Sequence, residues 1–266
     1  MEHILSNIPP FCLHENIYFV GSSRVSVHLI QTEKGLLLID TGYPDMLEQI
    51  LESISLLGFD IKDVVAILHS HGHVDHFGCT ERIRALCGAK TYISRIDNDI
   101  LNGKRDLSWA KEIGIPRLPF FDCDVLLEDG SELDFGNVQI KCIATPGHTE
   151  GTLSFYITVH GKTDFTAAMH GGIGMNSLSE KFLLENGLSL DSREQFRQGL
   201  RRLSALQVDL VLGNHPRQSG TEEKLAKVQR GECALDPAQW QVFLQNAERS
   251  LDRLLEKERA EAGDKE

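Results

Sequence analysis

Four residues able to bind a metal fall within six positions: His71, His73, Asp75 and His76, in the run His71-Gly72-His73-Val74-Asp75-His76. Imidazole nitrogen suits zinc, and a carboxylate completes a mixed nitrogen and oxygen site. Gly72 lets the backbone turn tightly between two ligands. On this spacing His71 and His73 face one ion, while Asp75 and His76, a turn further on, reach a second. Two more histidines stand in comparable settings. His148 lies in Thr145-Pro146-Gly147-His148-Thr149-Glu150-Gly151, and His215 in Gly213-Asn214-His215-Pro216. Proline and glycine beside a histidine mark a sharp turn that presents a side chain. Either one alone reads as an ordinary loop histidine; beside the first cluster, both read as ligands.

These segments need elements to hold them. Each follows a run that suits a strand: VVAIL before the first cluster, VQIKCIA before His148 and VDLVL before His215. Continuous apolar runs suit strands buried on both faces. GLLLID is another such run and ends at Asp40, a carboxylate placed to orient histidines or backbone amides behind the ligands. Val25, Val27 and Leu29 alternate with Ser26, His28 and Ile30 at a period of two. Pro44, then Leu47, Ile50, Leu51 and Ile54, then Gly58, predict a helix. Residues 80–87 predict another, closed by Gly88, and KTYIS, SELDF, LSFYITV and the segment through Phe165 predict strands. Asp191 or Ser192 is expected to cap a helix carrying Phe196, Leu200 and Leu203. A C-terminal helix is expected with Asp236 as cap and Pro237 at its first position, its charged end, 256–266, fraying.

The order of elements places one set of strands before His148 and one after, punctuated by helices. Two sheets packed face to face with helices outside satisfy that order. Residues 102–123 predict no regular element; with Trp109, Phe120, Phe121, Pro116 and Pro119, they read equally as a lid over a site or as a surface loop anchored by aromatics. His69 points away from the cluster if its strand continues. His3, His14, His28 and His160 have no motif around them and are expected to be structural or at the surface.

The bulk composition narrows the partners. The net charge of −12 over 266 residues argues against nucleic acid or an anionic membrane and for a small-molecule substrate. No apolar run approaches the ~20 residues of a membrane span. No linker divides the chain, so one domain over 1–266 is expected. The six cysteines form no C-x-x-C pair, which fits reduced thiols in the cytosol. The opening MEHILSNIPPF lacks the basic start and long apolar stretch of an export signal, so a cytoplasmic location is expected. There is no G-x-S-x-G for a serine nucleophile, and HGGIGM lacks the lysine of a phosphate-binding loop.

An aspartate closing an early strand, then H-x-H-x-D-H, then a G-H-T turn, then a late histidine, together resemble the metallo-β-lactamase superfamily over about Val25 to His215. The resemblance implies an α/β fold, a four-layer αβ/βα sandwich of two mixed β-sheets flanked by helices, with metals at one edge. The ligand set is most similar to that of the subclass B3 β-lactamases, as is the passage from DVLLEDGSELDFG to TPGHTEG. That similarity implies two zinc ions per chain, one on His71, His73 and His148, the other on Asp75, His76 and His215. Glyoxalase II, ribonuclease Z and many relatives bridge their metals with an aspartate after the strand that follows the G-H-T turn. Here that region reads Phe165-Thr166-Ala167-Ala168-Met169-His170-Gly171-Gly172, with no carboxylate, as in the B3 enzymes. His170 is therefore expected to stand behind the ligands or contact substrate, with replacement of a ligand as the alternative. Asn176 and Ser177, further along the glycine-rich stretch, are candidates for the same roles. Cys79 replaces a glycine common in the family, with an effect expected on packing only.

The reaction expected is attack by hydroxide on a carbonyl carbon, because zinc lowers the pKa of its water to about 7. His71 and His73 would hold the ion at which the nucleophile forms, and Asp75 would bind metal and orient it. An amide or ester is the expected target, with β-lactams and lactones as ring substrates. The alternatives are an iron-dependent sulfur enzyme similar to persulfide dioxygenases and a glyoxalase II-like thioesterase. A nuclease is opposed by the acidic charge and the missing bridging aspartate, and a non-catalytic binding protein by the intact ligand set.

Overall fold

The computed structural model describes residues 8–116, 118 and 120–263. His3 and most of the N-terminal segment, Pro119 and the last three residues lie outside them. Two mixed β-sheets account for every strand described. The first joins β1 (Phe11–His14), β2 (Ile17–Phe19), β3 (His28–Thr32), β4 (Gly35–Ile39), β5 (Val64–Leu68), β6 (Lys90–Ser94) and β7 (Val125–Leu127) in sequence order. Pairing is antiparallel from β1 to β4 and parallel from β4 to β7. The second sheet runs in the order β12 (Leu210–Leu212), β11 (Phe165–Met169), β10 (Leu153–Val159), β9 (Val138–Ala144), β8 (Glu132–Asp134). Only its β11–β12 pair is parallel.

The helices are α1 (Leu47–Leu56), α2 (Val74–Phe77), α3 (Thr80–Cys87), α4 (Asn98–Leu101), α5 (Glu180–Glu185), α6 (Ser192–Leu203), α7 (Pro216–Ser219), α8 (Thr221–Gln229) and α9 (Gln239–Gly263). The two-residue alternation of the strands decides the layering. Leu37, Ile39, Ala66 and Leu68 point inward to meet Ile140, Cys142, Phe155 and Ile157 of the other sheet. Leu36, Leu38, Val64 and Ile67 point outward and are covered by Ile50 and Ile54 of α1 and Ile83 of α3. On the far side, Ile143, Ala168 and Val211 are covered by Phe196, Leu200 and Leu203 of α6 and Trp240, Phe243 and Leu244 of α9. The result is helix, sheet, sheet, helix: the sandwich that the resemblance implied. No helix among the described residues is long and apolar enough to cross a membrane.

Five local expectations are corrected. The division between sheets falls between β7 and β8, not at His148. β9 and β10 are hairpin partners, with Ala144 opposite Leu153, so the G-H-T turn joins two strands of one sheet. The early strand begins at His28, because Val25 and Val27 sit in a bend that turns back on Val20 and Ser22. Asp191 precedes α6 but makes no side-chain cap bond. The charged end of α9 is helical as far as Gly263, and the helix begins at Gln239, preceded by a turn in which Asp236 accepts from the Ala238 and Gln239 amides.

Candidate metal centre

Every candidate ligand stands just past the C-terminal end of a strand or in the turn of a hairpin, along one edge of the sandwich. β5 leads into His71 and His73; α2 follows at once and carries Asp75 and His76. The β9–β10 turn carries His148, and β12 leads to His215, which caps α7. The histidine-bearing turns need glycine where the chains meet. Gly147 has φ +141°, and a Cβ there would lie 2.6 Å from Phe196 Cβ. A Cβ at Gly172 would lie 2.3 Å from the His148 ring, so that backbone can pass behind the imidazole only as glycine.

Two groups of donors result. His71, His73 and His148 form one, and Asp75, His76 and His215 the other; within each, the ligand atoms lie within 4.8 Å of one another. Nε2 of His71 is 3.1 Å from Nδ1 of His73 and 3.1 Å from Nε2 of His148. The carboxylate of Asp75 lies 3.4 Å from His76 Nε2 and 3.6 Å from His215 Nε2. The rings of His71 and His76 are 4.2 Å apart, so the groups adjoin.

The remaining ring nitrogens fix which atom faces inward. His76 Nδ1 is 2.8 Å from Asp40, His148 Nδ1 is 2.8 Å from the Gly174 carbonyl and 2.9 Å from Ser177 Oγ, and His215 Nδ1 is 2.8 Å from the Arg24 carbonyl. Donating from Nδ1 leaves Nε2 of His148 and of His215 with its lone pair toward the centre, the usual way an outer partner sets the tautomer of a metal-binding histidine. Burial, then the neighbouring imidazoles, holds His71 and His73 neutral by pushing their pKa values far down. Burial likewise takes His148 down to about 4 and lowers His215. Asp75, which burial alone would raise, is held below the ordinary carboxylate range by His76, His215 and His73. Burial opposes protonation of His76, but Asp75 and Asp40 on either side outweigh it and lift the pKa to about 10.

These residues fit divalent metal. Three inward nitrogens meet around His71 Nε2, and a shared proton satisfies only one such pair, leaving lone pair facing lone pair in a buried site. A cation with nitrogen and oxygen ligands relieves that conflict, and no thiolate stands in either group.

Asp40 accepts from His76 and from the amide and hydroxyl of Ser70, beside the second donor group. His170 belongs to neither group. Its Nδ1 accepts from the Gly172 amide at 3.1 Å and its ring lies on Phe196, so it backs the loop that carries the Gly174 carbonyl. Ser177 touches His148, and Asn176 lines the cleft. His69 is turned away, bonded to the Tyr92 carbonyl and Thr80. The cleft over the two groups encloses about 250 Å³, walled also by Tyr43, Trp109 and Ile113. Trp109 has φ +63°, packs with its ring tilted on Phe182 at 4.5 Å between centroids and stands 5.8 Å from the His73 ring.

Sequence reasoning passed over Asp97, which is fully buried. Its Oδ2 accepts from the Gly72 amide at 2.8 Å and Thr149 Oγ1 at 2.6 Å, and its Oδ1 from the Gly151 amide at 2.9 Å. One carboxylate thus ties the His71–His73 turn to the His148 turn. Nothing in RIDND, where it sits, sets it apart from a surface acid.

Comparison with known proteins accords with this geometry. The metallo-beta-lactamase superfamily pattern matches residues 20–166, more than half of the chain, and the chain belongs to that superfamily. Among solved structures it is similar to a subclass B3 metallo-beta-lactamase of Bradyrhizobium japonicum, at 27% identity and TM-score 0.87, over 98% of this chain and 99% of that one. Among curated proteins, an uncharacterized protein of Aquifex aeolicus is 32% identical over 52% of this chain and 62% of its own length. A hydroxyacylglutathione hydrolase of Brucella anthropi is 32% identical over 43% of this chain and 36% of its own. The first three curated relatives are spanned over 61% to 63% of their length. Fold and family thus come together with two donor groups of a kind that could hold metal.

Proposed function

We propose that the protein is a di-zinc hydrolase that opens an amide or ester carbonyl, with β-lactams and lactones as ring substrates. The observation that carries this reading is the adjoining pair of three-donor groups at the floor of one cleft. His71, His73 and His148 would hold one ion and Asp75, His76 and His215 the second. When bound, such ions act as Lewis acids and supply a nucleophile from water near neutral pH. The chain's own groups do the rest. Asp75 faces both His76 and His215 and is held as a carboxylate, so it can orient a nucleophile lying between the groups. Asp40, Ser177 and the Gly174 carbonyl keep the histidines aimed, so little reorganisation is needed. Asn176 offers an amide to a polar handle of the substrate, and Tyr43, Trp109 and Ile113 offer faces to its apolar part. The six unbridged cysteines support a reducing, cytoplasmic setting. The acidic charge supports a small molecule over nucleic acid or membrane as partner.

A thioester is the second reading, favoured by the local similarity to the hydroxyacylglutathione hydrolase. Rates of zinc-loaded protein on nitrocefin, a penicillin, a carbapenem, an acyl lactone, a thioester and a bis-aryl phosphodiester, each with an EDTA control, separate the readings. EDTA-sensitive turnover of a carbonyl compound is expected. Turnover of the phosphodiester alone would overturn the proposal.

A further inference from the structure

A cavity of about 680 Å³ lies behind the segment that roofs the metal cleft. Its walls include Phe77 of α2, Ile100 of α4, and Ile115, Leu118 and Phe120 from the irregular segment. The cavity is within the size range of sites for small organic ligands. The segment over it is pinned at several points. The Ser108 carbonyl accepts from the Val74 amide at 2.8 Å, the Arg105 amide donates to Asp99, and Phe121 donates to the Leu101 carbonyl. Asp122 accepts from the side chains of Asn98 and Asn102 at 2.9 Å. The arch is thus held open by bonds at its feet.

A small gap lies between the cavity and the metal cleft. A narrow neck of about 10 Å³ shares His73 and His148 with the cleft, and Ile100 and Arg105 with the cavity. Leu107, Phe182 and Leu188 line the neck between them. The ion pair of Arg105 with Glu150, whose side chains are 32% and 45% exposed, also lines it. Asp106 and Lys111 also line the cavity but are exposed, as at its mouth, whereas the buried part of its wall is Phe77 and Ile100, so an uncharged alkyl group is the chemistry that fits the interior.

We infer that this cavity receives the alkyl tail of the substrate, whose carbonyl sits over His73 and His148 while the tail runs through the neck. The substrate class is then a long-chain acyl ester, thioester or acyl-substituted lactone. This rests on the carbonyl-hydrolase reading above, and goes beyond it by assigning a second site. A buried methylene contributes about 0.8 kcal/mol, so kcat/KM gains up to about fourfold for each carbon that enters.

The test is a series of p-nitrophenyl esters from two to twelve carbons with zinc-loaded protein. Beside it, 11-(dansylamino)undecanoic acid is titrated in the absence of substrate, which needs no turnover. Two variants at Ile115, which belongs to neither donor group and does not line the metal cleft, carry the assignment: Ile115→Trp fills the cavity and Ile115→Ala enlarges it. The expected result is kcat/KM rising with chain length in the natural protein, mainly through KM. Ile115→Trp should flatten that rise while leaving the two-carbon ester unchanged, and weaken the dansyl probe at least tenfold; Ile115→Ala should move the optimum to longer chains. A flat series, or one that both variants leave unaltered, overturns the tail site. Failure to hydrolyse any ester, with probe binding still lost in Ile115→Trp, would instead count against the hydrolase reading alone.

Discussion

Asp97→Ala should disable the metal centre without touching a ligand. In the natural protein the carboxylate takes the amides of Gly72 and Gly151 and the hydroxyl of Thr149, all in a site closed to water. Thr149 Oγ1 also lies 2.8 Å from Thr152 Oγ1, so it retains a partner; the two amides do not gain one. A buried donor left unmade costs about 1–3 kcal/mol, which gives about 2–6 kcal/mol for the pair. Burial raises the pKa of Asp97, so its charge is itself unfavourable there, and removing it offsets part of that loss. A net destabilisation of about 2–4 kcal/mol follows. Asp97→Asn keeps the shape but turns an NH2 group toward one of the amides, for about 1–3 kcal/mol. Urea unfolding of the metal-stripped protein at pH 7 should rank the variants natural, Asn, Ala. Because Gly72 separates His71 from His73 and Gly151 follows His148, zinc affinity at that group should fall about 10–100-fold, measured by competition with a chromophoric chelator. If Asp97→Ala unfolds within ~0.5 kcal/mol of the natural protein and binds zinc as tightly, the tie between the two turns is not what holds the site.

Other outcomes follow from the same geometry. His71→Ala should abolish turnover, whereas His215→Ala should empty mainly the second group and leave residual activity; full metal content and full rate in His215→Ala would remove His215 from the ligand set. Asp40→Asn should weaken the second ion about 10–100-fold by loosening His76, read by metal titration. Trp109→Gly should unfold about 1 kcal/mol later than Trp109→Ala, since only glycine takes φ +63° freely, and both should raise KM more than they lower kcat. Burial takes His170 from 6.5 down to about 3. Below pH 6.5 the unfolded chain gains a proton that the folded chain refuses, so this stability is whole above 6.5 and is lost as pH falls toward 3. In metal-stripped protein, His170→Gln should therefore lose about 3 kcal/mol less than the natural protein between pH 7 and 4.5; equal losses would show that His170 does not set the slope.

The layers were legible in the sequence wherever burial imposes a period. VVAIL and GLLLI must be covered on both faces, and they are. The candidate site was legible because its donors are clustered in sequence or stand in glycine and proline turns just past such runs. What escaped has no local signature. Asp97 acts on residues 25 to 54 positions away, and only the fold brings RIDND beside both turns. The sheet boundary is not legible because the conspicuous turn at His148 reads as a border, whereas strand pairing makes it a hairpin. The tail of α9 was expected to fray from its charge, yet Arg193 of α6 pairs with Glu258 and holds that turn in place. Trp109 and Tyr43 lie in segments whose sequence reads only as loop, and their place at the cleft depends on tertiary contacts.

The central claim is that the two donor groups each hold a zinc ion. Elemental analysis of the protein purified without chelator, paired with the same measurement on His215→Ala, tests it most directly. Close to two zinc per natural chain are expected and about one in the variant, with the first group still loaded. A single tightly bound iron with zinc absent, or a natural protein that binds no more metal than a chain lacking His71, His73 and His148 together, would contradict it.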